Sequence, residues 1–289
     1  MKILVTGAAG RIGQAIVLRL RAEHAVVGLD LQPSATTDQR GSITDPACLR
    51  RALRGVQAVV HCAALHAPHV GQVADAAFDR VNRQATADLA RLAMDSGAQR
   101  LVLTSTTALY GAGAARGTAA VWVDERSVPQ PQTVYHRSKL AAEAALAQST
   151  HGSGLAVTVL RMSRCFAEPA PLMAVYRLHR GISARDAAQA HALALRRAEP
   201  GFVCWVVSGA TPFLPGDAPE LLHNAPAVIA RRAPALALAL ARRGWPLPRS
   251  IDRVYCPARA MQALGWQPQD GFDAVLALLD RGSPDVLPA

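Results

Sequence analysis

The sequence predicts an α/β protein: a doubly wound parallel sheet with a smaller C-terminal part interwoven with it. Three observations lead there. Short aliphatic runs alternate with helical stretches from residue 2 to about 160. The first run feeds directly into glycines at positions 7, 10 and 13 and then into a helix with an apolar face. Small and hydroxyl residues close later runs, as in Cys62-Ala63-Ala64 and Thr104-Ser105-Thr106, where a ligand would cross the carboxyl edge of such a sheet. The expected division is 1–160 for the sheet domain and 161–289 for a smaller substrate-binding part.

Lys2 to Thr6 reads as a buried strand. Thr6-Gly7-Ala8-Ala9-Gly10-Arg11-Ile12-Gly13 is the turn after it, and Arg11 to Glu23 is helical. In this motif the first glycine permits the turn, the second admits a pyrophosphate close to backbone N–H groups, and the third lets helix pack on strand. The helix N-terminus favours phosphate charge. Ala25 to Leu29 is the second strand and ends in Asp30, placed to accept from adenosine ribose hydroxyls and to repel a 2′-phosphate. NAD is therefore the expected cofactor rather than NADP. Its path is expected to pass Gly7, Gly10, Arg11, Ile12, Gly13, Asp30 and Leu31, then Ser42 and Ile43, then Ala63, Ala64 and Leu65.

Gly41 to Ile43 reads as a strand end, Asp45-Pro46 as a capped helix start, and Ala47 to Leu53 as its helix. Gln57 to His61 is a strand, Ala74 to Ser96 one long helical stretch containing Asn82, and Arg100 to Thr104 a further strand. Gly111 to Ala120 is a Gly/Ala loop expected beside the site. Leu140 to Gln148 continues a helix from Tyr135, and Ala156 to Leu160 is a sixth strand.

Tyr135 and Lys139 stand four apart at the start of that helix, one turn from each other on one face. A neighbouring ammonium favours the phenolate, so this pair suits proton transfer at a carbonyl or alcohol oxygen. Of 31 Lys plus Arg, only Lys2 and Lys139 are lysines, which points to a need for a compact ammonium there.

Composition excludes several classes. No apolar run reaches the ~18 residues of a membrane span, and the N-terminus has no signal-peptide pattern, so a cytoplasmic protein is expected. Cys48, Cys62, Cys165, Cys204 and Cys256 form no C-x-x-C pair and indicate neither a disulfide framework nor a zinc site. The net charge of +10 comes as scattered arginines without aromatic interleaving, which argues against nucleic acid and suits an anionic cofactor or acidic substrate. His66 and His69 lack a third ligand nearby in sequence, so no metal site is expected, and His66 is read toward the substrate.

Taken together, the motifs resemble the extended short-chain dehydrogenase/reductase superfamily, of the NAD-dependent epimerase/dehydratase type. The resemblance rests on Thr6-Gly7-x-x-Gly10-x-x-Gly13, Asp30, His61-Cys62-Ala63-Ala64, Asn82 with Thr86, and Thr104 through Gly111. It continues through Tyr135-x-x-x-Lys139 with Glu143, Arg185 through Ala190, and Leu264-Gly265-Trp266-x-Pro268. It implies Tyr135 as acid/base, Lys139 on the nicotinamide ribose, Thr106 on the substrate oxygen with Ser105 beside it, and Asn82 organising the active-site helix. Thr104 and the backbone at Cys165 would flank the cofactor, and a homodimer through the tyrosine helix is implied.

Departures narrow the subtype. Thr107-Ala108 stands where the family's dehydratases carry an Asp-Glu pair, so dehydration is not expected. Arg161 to Pro169 is followed too soon by Ile182 to Asp186 for the usual nucleotide-binding lobe. The Cys-Phe-x-Glu-Pro segment at 165–169 resembles uronate dehydrogenases in part, although those carry Ser-Asn-His where Thr106-Thr107-Ala108 stand here. Arg164 is read as a clamp for a carboxylate or phosphate. The leading expectation is an NAD-dependent dehydrogenase or reductase of a small polar secondary alcohol or ketone, with a sugar acid in view. An epimerase, and a cofactor-binding regulator without turnover, are the alternatives.

Overall fold

The computed structural model describes residues 1–111 and 117–289; positions 112–116, inside the Gly/Ala loop read from the sequence, lie outside the described residues. Nine strands are present among them: β1 (Lys2–Thr6), β2 (Ala25–Asp30), β3 (Gln39–Arg40), β4 (Ala58–His61), β5 (Arg100–Thr106), β6 (Val121–Val123), β7 (Ala156–Met162), β8 (Gly201–Val207) and β9 (Arg253–Tyr255). Seven form one parallel sheet in the order β3-β2-β1-β4-β5-β7-β8. The order reverses beside β1, whose neighbours are β2 on one side and β4 on the other. A crevice at the carboxyl ends of β1 and β4 is the consequence, and it is where ligands of open α/β sheets sit. The predicted doubly wound fold is the one observed.

The strands read as buried runs because helices cover both faces. Ile3, Leu4 and Val5 of β1 and Val59 and Val60 of β4 are fully buried. On one face, Leu4, Val59, Leu101 and Val157 pack with Leu49, Leu89, Ala93 and Leu146 in a single apolar cluster. The last four come from α2 (Pro46–Ala52), α4 (Ala85–Asp95) and α5 (Val134–Ser149). Burying a leucine contributes roughly 1.5–3 kcal/mol, so this layer sets the positions of the helices that carry the chemistry.

Two departures from the sequence reading matter. The stretch from 74 to 96 is not one regular helix: α3 (Asp75–Phe78) passes into a π-helical segment, Asp79–Gln84, and then into α4. β8 adds a seventh strand beyond the six expected, its Gly201 N–H donating to Leu155 O at 3.1 Å.

The chain forms two compact units. The first comprises Met1–Gly111, Pro129–Arg161 and Ala187–Trp205. The second comprises Met162–Asp186, Val206–Ala289 and the described residues leading to Val128. The second has its own apolar cluster, including Met173, Leu221, Val228, Leu236, Val254 and Val275, and a two-stranded parallel sheet of β6 with β9.

Candidate active site

Gly7 follows β1 with φ of +72°, a conformation open to glycine, and a Cβ there would lie 2.6 Å from Ala63 N. The turn therefore presses against the residues that follow β4. A Cβ on Gly13 would collide with the Gly7 carbonyl oxygen, so α1 (Arg11–Arg21) packs on the turn only without one. Gly10 is the N-cap of α1, which has no capping side chain and no acid in its first turn. The first N–H groups of α1 thus face outward with a positive end suited to a phosphate.

Asp30 closes β2 beside this turn. Its Oδ2 accepts from Ala9 N–H at 2.9 Å and its Oδ1 from Gln32 N–H at 2.9 Å. Both bonds hold the carboxylate at the crevice edge. Leu31 beyond it is exposed, and Arg11 and Ile12 are half-buried. Ser42 bonds the Thr44 hydroxyl at 2.7 Å, whereas Ile43 is buried in the core cluster. Ala63, Ala64 and Leu65 are half-buried after β4, and His66 is exposed on a short turn where its N–H donates to His69 Nδ1 at 3.0 Å.

Asn82 sits within the π-helical segment and is buried. Its amide accepts from Leu65 N–H, donates to Leu65 O and donates to Ser138 Oγ, each at 2.8 Å. It joins the segment after β4 to α5. A π turn inside a helix is a frequent mark of a functional site.

The three hydroxyls at the end of β5 diverge. Thr104 Oγ1 bonds His191 Nε2 at 2.8 Å, and its carbonyl accepts from Lys139 Nζ at 2.7 Å. Ser105 is buried and donates to Glu143 at 2.5 Å. Glu143 is also paired with Arg161 at 2.7 Å, and Arg161 donates to the Tyr110 hydroxyl at 2.9 Å. Ser105 therefore faces an internal ion pair. Thr106 accepts from Ala108 N–H at 3.1 Å, which leaves its own proton for donation.

Thr133 caps α5 by accepting from His136 N–H at 3.2 Å, so Tyr135 lies in the first turn and Lys139 in the second. Lys139 is buried, and burial pulls its ammonium down to about 8. The expected lowering of Tyr135 by Lys139 is not what dominates. Burial raises the phenol, and the bond from Thr106 opposes it. The Lys139 ammonium is directed at the Thr104 carbonyl instead.

Arg164 and Cys165 belong to the second unit. Arg164 pairs with Glu168 at 2.7 Å and stacks over Phe166 and Tyr176, with its side chain 46% exposed. Cys165 is buried. Glu143 was visible in the sequence as part of the tyrosine motif, but its partners Arg161 and Tyr110, and His191 on Thr104, carry no local signal.

The model of the NAD dependent epimerase/dehydratase family matches residues 3–178. The dTDP-4-dehydrorhamnose reductase of Mycobacterium tuberculosis is 34% identical over 147 residues, 50% of this chain and 45% of that protein. An NAD-dependent glucose-6-phosphate dehydrogenase of Haloferax volcanii is 28% identical over 162 residues, 49% of this chain and 60% of that protein. The chain thus spans about half the length of the curated relatives it matches. UDP-N-acetylglucosamine 4-epimerase from Bacillus cereus superposes with a TM-score of 0.70 at 23% identity, covering 98% of this chain and 100% of that one. A short-chain dehydrogenase/reductase superfamily protein from Agrobacterium tumefaciens with bound NAD gives 0.69 at 21%, covering 96% and 95%. At these identities the structural likeness establishes the fold.

Proposed function

The chain belongs to the NAD dependent epimerase/dehydratase family, and we propose that it is an enzyme of the extended short-chain dehydrogenase/reductase type that uses NAD to move a hydride between nicotinamide and a secondary alcohol or ketone of a small polar substrate. The observation that carries this reading is Lys139 of α5 bonded to the Thr104 carbonyl near the end of β5 at 2.7 Å, with Tyr135 one turn before it on the same helix and Thr106 two residues beyond on the same strand.

The residues present fit the cofactor. The uncapped N-terminus of α1 and the turn cleared of Cβ atoms at Gly7 and Gly13 suit a pyrophosphate. Asp30, fixed by two backbone donors, suits ribose hydroxyls. When bound, NAD supplies the hydride acceptor and its reduced form the donor. Tyr135 holds the proton at its Oη and exchanges it with the substrate oxygen. Thr106 Oγ donates toward the same oxygen as charge develops there. Lys139 has three donors, one of them on Thr104 O, and the others serve a ribose. A sugar acid is the substrate class suggested by the partial resemblance of residues 165–169 to uronate dehydrogenases. A homodimer is proposed on the resemblance alone; no helix among the described residues is long and apolar enough to cross a membrane.

The test is NADH formation with a panel of sugar acids, sugar phosphates and nucleotide sugars. Tyr135→Phe is expected to lose at least about 100-fold in turnover, the scale of a lost acid/base, while NAD binding stays within a few-fold. Near-normal turnover would remove Tyr135 from the reaction. A product inverted at one carbon without net NADH would favour an epimerase.

A further inference from the structure

Beneath the crevice lies a polar chain that the proposed chemistry does not use. His61, at the end of β4, is 1% exposed. Its Nδ1 is 2.6 Å from Thr6 Oγ1 and its Nε2 is 2.9 Å from Thr86 Oγ1. Donor accounting places each proton. The Thr86 hydroxyl donates its one proton to the Asn82 carbonyl at 2.6 Å. His61 Nε2–H must then donate to Thr86, and Nδ1 must accept from the Thr6 hydroxyl. Thr6 Oγ1 in turn accepts from Ala63 N–H at 3.3 Å. Burial pulls the ring down to about 3, which keeps it in this neutral tautomer.

The chain therefore runs in one direction, from the backbone after β4, through the end of β1 and across the His61 ring, to the π-helical backbone at Asn82. There it meets the Asn82 amide, whose oxygen and both N–H groups are engaged by Leu65 and Ser138. Ser138 donates onward to the Tyr135 carbonyl at 2.9 Å. A buried network of this kind costs stability unless every member is satisfied, and here each is. An apolar side chain would fill the space of His61 but could not hold the carbonyl side of a π turn.

We propose that His61 is a positioning residue. Its neutral ring, acting through Thr86, fixes the π-helical backbone at Asn82 so that the Asn82 amide holds the Leu65 segment and the first turn of α5 in register. The proposal rests on the function above only for what Tyr135 does once placed.

The test compares Thr86→Val, which keeps shape and deletes the hydroxyl, with Thr86→Ser, which keeps the hydroxyl, and adds His61→Phe. Each is checked by thermal melting. Two readouts follow: NAD affinity by calorimetry, and the alkaline titration of Tyr135 by ultraviolet difference absorbance with Tyr135→Phe as the blank. Thr86→Val and His61→Phe are expected to weaken NAD by about five- to tenfold, the worth of a buried hydrogen bond. The Tyr135 midpoint is expected to shift as the first turn of α5 loses its register. Thr86→Ser should restore both. Should His61→Phe fail to fold, the Thr86 pair decides. Thr86→Val indistinguishable from Thr86→Ser in both readouts would overturn the proposal. A wild-type chain that binds no NAD would instead defeat the proposed function, and the phenol titration would still decide the role of His61.

Discussion

At the scale of single residues, Tyr135 and Lys139 show how far spacing alone carries. Four-residue spacing put them on one face of α5, and that is where they are. Spacing said nothing of depth. Both are buried enough that desolvation favours the neutral form of each, raising the phenol and lowering the ammonium. For Lys139 the sign is as follows. Below about pH 8 the lysine is protonated in both folded and unfolded chains, and the cost of burying its charge is constant. Between about 8 and its ordinary value of 10.5 the unfolded chain binds more protons, so stability rises with pH. The stability of the wild type relative to Lys139→Met is therefore expected to increase from pH 8 to pH 10 in urea titrations. A difference that stays flat, or falls, across that range would show that Lys139 keeps its charge when folded.

At the scale of elements, the glycine turn is the most legible part of the chain, because its geometry is local. Gly13 is barred from a side chain by backbone rather than by a flexible neighbour, whereas a Cβ on Gly10 would meet Gly7 O at an ordinary 3.4 Å. Gly13→Ala is expected to cost about 1–3 kcal/mol of stability, as overpacking does, and Gly10→Ala well under 1 kcal/mol. Chemical denaturation of the two variants checks this; equal losses would mean that α1 is free to shift away from the turn. Other elements were legible in part, for physical reasons. The period from Ala74 to Ser96 reports helix, but it does not report where the ladder slips by one residue. That slip is tied to Asn82 and Thr86 finding partners at Leu65, Ser138 and His61, which are distant in sequence. β6 and β9 have three residues each and become strands only by pairing with each other. Ser105 read as a site hydroxyl because it stands beside Thr106, yet alternation along β5 turns it to Glu143 instead.

At the scale of the whole molecule, the same desolvation that tunes the site sets the response to acid. His61 and His191 in the first unit and His179 in the second are all buried, and burial pulls them to about 3, 4 and 3. Burial is what refuses the second proton; His191 Nδ1 donates to Ala187 O at 2.7 Å while Nε2 accepts from Thr104, and His179 Nδ1 donates to Arg253 O at 2.9 Å. Their folded values lie below the ordinary 6.5, so their contribution is complete above that pH. It is lost as pH falls, because the unfolded chain takes up protons that the folded one refuses. Three protons correspond to a slope of at most about 4 kcal/mol per pH unit. The paired carboxylates do not compete in this window. Asp79, Asp124 and Asp217 are held below 3.8 by their arginines and stay ionised until lower pH. Stability is therefore expected to fall steeply between pH 6 and pH 4, before the carboxylates titrate. His179→Phe, which keeps a ring and cannot charge, should flatten that slope by about one third. Unfolding midpoints in urea at pH 7, 6, 5 and 4 read both. A wild type that keeps its stability to pH 4, or a variant with an unchanged slope, would mean that water reaches these rings and that the interior is less dry than their packing implies.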